Sequence, residues 1–458
     1  MSTPATSARR AGGLSLTVLA VAVALGAYAL VALGKRGRLP ANLALYGSLF
    51  ALGYLVAHLA IRRLAPRADP VLFPTAGLLA GLGFAVIFRL DGDLAAEQAT
   101  WLAVGLVAFV ATLALVRDDR QLDAYTYTIG LMGLVLLLLP IVPGIGREIN
   151  GARLWVRIGP LGFQPSEPGK VLVVVFLASY LAAKRELLAS GIVRLGPLRL
   201  PPAKHLGPLL LAWGASLLVL FLERDLGASL LYFAIFVAML WIATGRAGYL
   251  AIGLALFAVG AALGYAAFEH VRARVDIWLH ALDPGKVHEL GYGQLAQGWF
   301  AMATGGLVGS GLGRGVPQDI PFAPTDFIFA AIGEELGFLG TAAVLLLFLV
   351  LVARGFRVAL ERRDPFGKLL AAGLATVLGL QTFVIVGGVT RVIPLTGITL
   401  PFVSYGGSSL VANFVILALL VRASSGPVGA GRAVGAEVGS RPAGGAPEPR
   451  VGEERRRG

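Results

Sequence analysis

The side chains best placed to do chemistry in this chain crowd into one polar interval, residues 269–340, set in otherwise apolar sequence. It holds the carboxylates of Glu269, Asp276, Asp283, Glu289, Asp326, Glu334 and Glu335, with His270, His280, His288 and Arg274 among them. Acids and histidines together raise the question of a metal centre. The spacing argues against a compact zinc site: His288-Glu289 runs into Leu290-Gly291-Tyr292, so the HExxH pattern fails, and the chain has no cysteine to supply thiolates. The histidines read as parts of a solvated loop. The run from Gly305 to Gly313 lacks the GxGxxG spacing and follows no strand, which gives little support to a nucleotide cradle. It reads instead as close backbone packing, or as a loop that moves beside a long ligand. Asp326 reads as a helix-start residue complementing the helix dipole. Glu334 and Glu335 lie two turns further in, where that effect has faded, and one of them is expected to face a polar cavity.

Three other places carry charge where apolar sequence surrounds it. Ser166 can cap a helix whose first turn holds Glu167 and Pro168; Lys170 then follows Glu167 at i+3 inside an apolar run, where charges pair and face cavities. Just before it, Trp155 between Arg153 and Arg157 suits an amphipathic segment at the membrane interface. Glu223-Arg224-Asp225-Leu226-Gly227 reads as a short charged turn between two spans. Near the end, residues 387–409 carry two prolines and repeated glycines that break helix at membrane depth, which is tolerated only inside protein or beside a wet cavity. Arg391 in that stretch is a ready partner for a phosphate or a membrane carboxylate.

The elements that position these groups follow from composition. The 458 residues are 57% hydrophobic and 14% charged, with mean hydropathy +0.78, against roughly 25% charged in average soluble domains. Apolar runs near the length that crosses a bilayer recur throughout, and such runs must be helices. Spans are read at 13–33, 41–61, 71–88, 98–116, 125–143, 168–183, 207–222, 227–243, 247–268, 327–353, 367–389 and 407–422. That makes an all-α polytopic membrane protein of about twelve helices. The first run is long and no small-residue cleavage site follows, so it reads as a retained helix. Placing Arg62 to Arg67, Lys184 to Lys204 and Arg354 to Lys368 inside puts Asp91 and the interval 269–326 outside. Lys35-Arg36-Gly37-Arg38 contradicts that count. The net charge of +13 is thus a signature of topology and of contact with membrane lipids, not of nucleic-acid binding. The chain divides into a cytoplasmic tail (1–12), two N-terminal helices (13–70), a core (71–423) with the external loop 269–326, and a disordered cytoplasmic tail (424–458).

Four motifs in this order resemble the SEDS (shape, elongation, division and sporulation) family of RodA- and FtsW-like proteins: Gln164-Pro165-Ser166-Glu167; Asp225-Leu226-Gly227; Thr325-Asp326-Phe327-Ile328-Phe329-Ala330 with Glu334-Glu335-Leu336-Gly337; and Pro401-Phe402-Val403-Ser404-Tyr405-Gly406-Gly407-Ser408-Ser409. The resemblance covers roughly 71–422. It implies a ten-helix core with two extra N-terminal helices, in the cytoplasmic membrane of a bacterium. It implies a peptidoglycan glycosyltransferase that polymerises lipid II at the outer face, for elongation or division, beside a class B penicillin-binding protein. Two departures bear on the site. Ile385 stands where the family usually carries Asn, and the usual position of its essential Asp, counted back from Gln294, falls on Val287.

On that resemblance the catalytic carboxylate is Asp283, in its Asp-Pro context, with Glu289 as the substitute. Arg153, Lys170, Arg274 and Arg391 are expected to contact phosphate, and Gln294, Asp326, Glu335 and Ser404 to line the substrate site. The reaction needs a base at the acceptor hydroxyl and positive charge at the departing pyrophosphate. A divalent cation, Mg²⁺ or Mn²⁺, fits that second need, and no organic cofactor is called for. Two other readings use the same features: a lipid-linked sugar flippase, and a non-catalytic scaffold of a cell-wall synthesis complex.

Overall fold

The computed structural model describes residues 4–149, 152–158, 161–190, 193–195, 198–200, 202–203 and 206–426. Its helices, in chain order, are α1 (Pro4–Arg36), α2 (Leu43–Leu64), α3 (Leu72–Leu90), α4 (Gly92–Leu115), the short α5 (Arg120–Asp123), α6 (Thr126–Leu138), α7 (Ser166–Ala189), α8 (Gly207–Glu223), α9 (Leu226–Thr244), α10 (Ala247–Ala267), α11 (Glu269–His280), α12 (Leu290–Gly305), α13 (Ile328–Glu361), α14 (Pro365–Val389) and α15 (Gly407–Ser425). Each of the spans read from hydropathy falls on one of them. Among the described residues nine helices are long and apolar enough to cross a membrane, α6 and α8 are shorter apolar helices, and α7 carries the charges of Glu167 and Lys170.

Three elements differ from the sequence reading. α1 begins at Pro4, within the segment read as a tail, with proline in the first turn where its missing amide costs nothing. The Arg153–Arg157 segment, read as an amphipathic interfacial segment of an all-α protein, is extended: β1 (Gly146–Ile149), β2 (Ala152–Ile158) and β3 (Leu161–Phe163) form an antiparallel sheet in which Trp155 pairs with Arg147 and Val156 with Phe163. Alternating Arg153, Trp155 and Arg157 then share one face, a period of two rather than 3.6. A smaller hairpin, β4 (Val193–Leu195) and β5 (Leu198–Leu200), joins α7 to α8. The interval 269–326 is not a featureless loop, since α11 and α12 occupy much of it. Of the C-terminal tail, residues 427–458 lie outside the described part.

The core is built around α3, α14 and α15, most of whose side chains are buried, while α2 and α10 expose most of theirs. α1 packs along α3, α15 along α4, α13 along α14 and α6 along α7. The basic turn that contradicted the topology count is exposed but makes defined contacts with the end of α3. Lys35 Nζ donates to the Arg89 carbonyl at 2.8 Å, and Arg36 stands over the Phe88 ring at 5.7 Å. Both cations sit at the C-terminal end of α3, where the helix dipole favours them.

α13 is the element that changes course at the site. It breaks at Gly337, whose φ of 66° and ψ of −166° lie outside the helical region. The amides freed by the break, Phe338 and Leu339, donate to the carbonyls of Gly306 and Leu307 at 2.9 and 3.1 Å. In return Ser310 and Gly311 donate to the Glu334 and Glu335 carbonyls at 2.9 and 3.0 Å. The glycine-rich run is therefore a backbone-to-backbone seam. A Cβ on Gly309 would stand 2.2 Å from the Glu335 carbonyl oxygen, so only glycine fits.

Candidate active site

A cavity of about 1110 Å³ opens where β2, β3, the start of α4, α11, α12 and the irregular segment 395–409 meet. Arg274 of α11, Gln294 of α12 and Asp326 line it together with Gln164, Trp155 and Ser409. Arg274 is fixed by donating from Nη1 to the Leu395 carbonyl at 2.7 Å. A Cβ built on Gly397 would stand 3.7 Å from Arg274 Nη2 and 3.9 Å from Asp326 Oδ2, so both charged groups converge on that glycine. The surface left to Asp326 faces the cavity rather than open water. Desolvation pushes its carboxyl up to about 6, against the pull of Arg274.

Ser404 acts one step behind. Its hydroxyl donates to the Thr325 carbonyl at 2.7 Å and accepts from the Leu400 amide at 2.9 Å. The Tyr405 amide donates to the Pro324 carbonyl at 2.8 Å. These bonds tie the broken segment to the residues that carry Asp326. Phe402, left-handed at φ 64°, is buried and packs edge-on to Phe414 at 5.5 Å, which anchors the irregular backbone.

Beneath the cavity lies a polar chain. Lys170 Nζ donates to Glu167 at 2.6 Å and to Gln381 Oε1 at 2.9 Å. Gln381 Nε2 donates to the Thr399 carbonyl at 2.9 Å, and Thr399 Oγ1 to Ser409 at 2.7 Å. Gln164 donates its amide to Ser408 at 3.0 Å. Gln164 and Thr399 belong to both this chain and the cavity wall. Lys170 is buried and committed, so it supports the wall rather than meeting substrate in this conformation. Gln381, Thr399 and Ser409 were missed as site residues. Gln381 had a signal, a lone amide inside the apolar run of α14, which in a membrane points to an internal partner.

The remaining expected site residues stand apart from the cavity wall. Asp283 is exposed in the turn between α11 and α12, where its carbonyl accepts from the Lys286 and Val287 amides at 2.9 and 3.0 Å. Glu289 is exposed just before α12 and makes no side-chain cap. That turn is pinned by Asp276, which takes the Tyr292 hydroxyl, Lys286 Nζ at 2.9 Å and His280 Nδ1 at 2.8 Å. Tyr292 first, then Lys286, hold the Asp276 carboxyl down at about 2. Arg153 is exposed and pairs with Glu148 at 3.3 Å, a contact of little energetic weight. Arg391 clasps α11, donating to the carbonyls of Trp278 and Leu279, both at 3.2 Å, over the Trp299 ring. Glu335 is buried against Arg89 at 2.7 Å and also accepts from the Gly313 amide at 3.0 Å.

The sequence model of the FtsW/RodA/SpoVE cell cycle protein family matches residues 81–426. The chain belongs to that family. Within it, the chain is 45% identical over 436 residues to peptidoglycan glycosyltransferase RodA of Mycobacterium tuberculosis (strain ATCC 25618 / H37Rv), covering 93% of this chain and 92% of that protein. It is 34% identical over 331 residues to the probable peptidoglycan glycosyltransferase FtsW of Geobacter metallireducens, covering 72% and 84%. Two solved structures share the fold. A peptidoglycan synthase complex that coordinates polymerization and crosslinking aligns with TM-score 0.64 and 31% identity over 78% of this chain and 97% of that one. The rod shape determining protein RodA of Thermus thermophilus aligns with TM-score 0.55 and 28% identity over 78% and 96%. The resemblance read from four motifs is thereby borne out as family membership and as fold.

Proposed function

We infer that this FtsW/RodA/SpoVE protein is a peptidoglycan glycosyltransferase of the bacterial cell membrane that polymerises lipid II at the outer face. The transferase class and the multi-pass membrane setting rest on the family and on its RodA and FtsW relatives. The observation that carries the substrate reading is the cavity joined by α11 and α12, with Arg274 and Asp326 on its wall. At about 1110 Å³ it slightly exceeds the roughly 300–1,000 Å³ usual for small-molecule sites, room for a disaccharide-sized group beside Trp155 and Trp101.

In the proposed step an acceptor sugar hydroxyl attacks the anomeric carbon of a lipid-linked sugar. The new C–O bond forms as the bond to pyrophosphate breaks, and its electron pair leaves with the undecaprenyl pyrophosphate. The hydroxyl proton passes to Asp283, whose turn joins the two cavity-lining helices, with Glu289 as the nearby substitute. Arg274 supplies positive charge at the pyrophosphate; Arg153 and Arg391, engaged with Glu148 and with α11, take no part in the step. Among the described residues no three His, Asp or Glu side chains converge on a metal position. Were a Mg²⁺ or Mn²⁺ ion to bind, Asp326 is the carboxylate on the cavity wall that would hold it, and the ion would supply positive charge at the departing pyrophosphate. A second reading has a specific observation behind it: Asp326 already lines the cavity with its carboxyl near 6, the range suited to a base. The proposed protein partner is a class B penicillin-binding protein, supported by the likeness to a synthase complex. Lipid II polymerisation by wild type, Asp283→Ala and Asp326→Asn tests the two readings: abolition by Asp283→Ala with only a reduced rate in Asp326→Asn names Asp283 as the base, whereas polymer from Asp283→Ala with abolition in Asp326→Asn names Asp326.

A further inference from the structure

At the other end of α3 from the active site, a second cavity of about 160 Å³ opens between the start of α1, the end of α2 and the α2–α3 connection. Among the described residues none lines both cavities. Gly13, His58, Arg62, Arg67, Pro70 and Phe73 are among its walls. His58 is 6% exposed. Thr17 Oγ1 gives its proton to the Gly13 carbonyl at 2.8 Å and stands 3.5 Å from Nδ1; with the ring proton on Nε2, that donor has no hydrogen-bond partner. A buried ring nitrogen left unpaired is costly unless something enters to meet it.

The charges around it are one-sided. Neither Arg62 nor Arg67 forms an ion pair or hydrogen bond among the described residues. The one acid on the wall, Asp69, is already taken, accepting from Arg354 at 3.3 Å and from the Val71 amide at 2.8 Å. Along α2, Leu52, Leu55 and Leu59 are exposed at the three-and-four spacing of one helix face, and Arg62 is the next position on that stripe. An apolar stripe that ends in a free arginine beside a small basic cavity matches an acyl chain ending in a phosphate.

We propose that this cavity binds the phosphate of an anionic phospholipid, held by Arg62, Arg67 and His58 Nε2, with an acyl chain along Leu52, Leu55 and Leu59. The same phosphate chemistry could reach the cavity as a free anion from the aqueous side, and the test distinguishes the two sources. Phosphatidylglycerol, phosphatidylcholine and inorganic phosphate are titrated separately into the full chain in a neutral detergent, with occupancy read by native mass spectrometry. The wild type retains phosphatidylglycerol selectively over phosphatidylcholine. In Arg62→Gln/Arg67→Gln its affinity falls about 30-fold, roughly 2 kcal/mol at about 1 kcal/mol per basic residue near the surface. His58→Gln, which leaves both arginines, weakens it less. Both variants keep wild-type glycosyltransferase activity in phosphatidylcholine, which shows that they are folded. Competition by millimolar inorganic phosphate at full strength would overturn the lipid assignment in favour of a soluble anion. Equal phosphatidylglycerol retention by wild type and the double variant would overturn the site altogether.

Discussion

Glu335 is expected to matter through folding rather than through substrate. Its carboxylate accepts from Arg89 Nε at 2.7 Å and from the Gly313 amide at 3.0 Å; Arg89 Nη2 donates to the Gly315 carbonyl at 2.5 Å, and both side chains are nearly inaccessible. The pair links α3 to the glycine seam and to the first half of α13. Glu335→Ala leaves a guanidinium buried without its counter-charge, a change that costs roughly 3–5 kcal/mol. At 1.36 kcal/mol per decade that is on the order of a thousandfold in the folding equilibrium. Replacing both partners, as in Arg89→Leu/Glu335→Leu, removes the stranded charge and is expected to recover most of the loss, since apolar replacement of a buried pair is often near neutral. The assay is denaturation of the purified protein in detergent for wild type, both single variants and the double, analysed as a cycle. A Glu335→Ala protein within about 1 kcal/mol of wild type, or a double variant whose loss equals that of both singles together, would refute the reasoning.

Three further outcomes follow from the geometry. Glycosyltransferase kcat/KM falls as pH drops through about 6, because Asp326 takes up a proton there and ceases to face Arg274 as an anion; Asp326→Asn removes that limb of the profile, and an unchanged profile contradicts its role. Lys170→Met strands Glu167 and loosens Gln381, so kcat drops at least tenfold while expression of folded protein persists, and Lys170→Arg, whose planar fork does not fit two acceptors on opposite elements, does not restore it. Gly309→Ala drives a methyl into the Glu335 carbonyl at 2.2 Å from a backbone at φ +84°, so the variant yields little folded protein, whereas Gly12→Ala, which meets nothing within 4 Å, behaves as wild type in the same fluorescence-detected size-exclusion run.

The helices were legible because a bilayer leaves an apolar run of that length only one backbone structure. The motifs flanking the cavity were legible as places where polar residues interrupt such runs. The sheet of β1 to β3 was hidden because Arg153, Trp155 and Arg157 alternate over too few residues to distinguish a strand from an interfacial segment. α11 was hidden because its charged sequence carries no hydropathy signal. The resemblance places Glu335 at the substrate site; its partner Arg89 lies 246 positions away, a distance at which spacing carries no information. The gathering of Arg274, Gln294 and Asp326 with Gln164 and Ser409 likewise exists only after five separate segments meet. Why Ile385 stands where the family usually carries Asn, buried within α14, has no explanation in its surroundings.

The central claim is that the turn between α11 and α12 supplies the base for glycan polymerisation in the cavity those helices border. Purified protein with lipid II, Mg²⁺ or Mn²⁺ and an added class B penicillin-binding protein should produce glycan strands resolvable by gel. The account predicts that Asp283→Ala abolishes polymer while retaining the thermal stability of wild type, since Asp283 is exposed, and that Glu289→Ala slows the reaction without stopping it. Full-length polymer from a folded Asp283→Ala protein would contradict it.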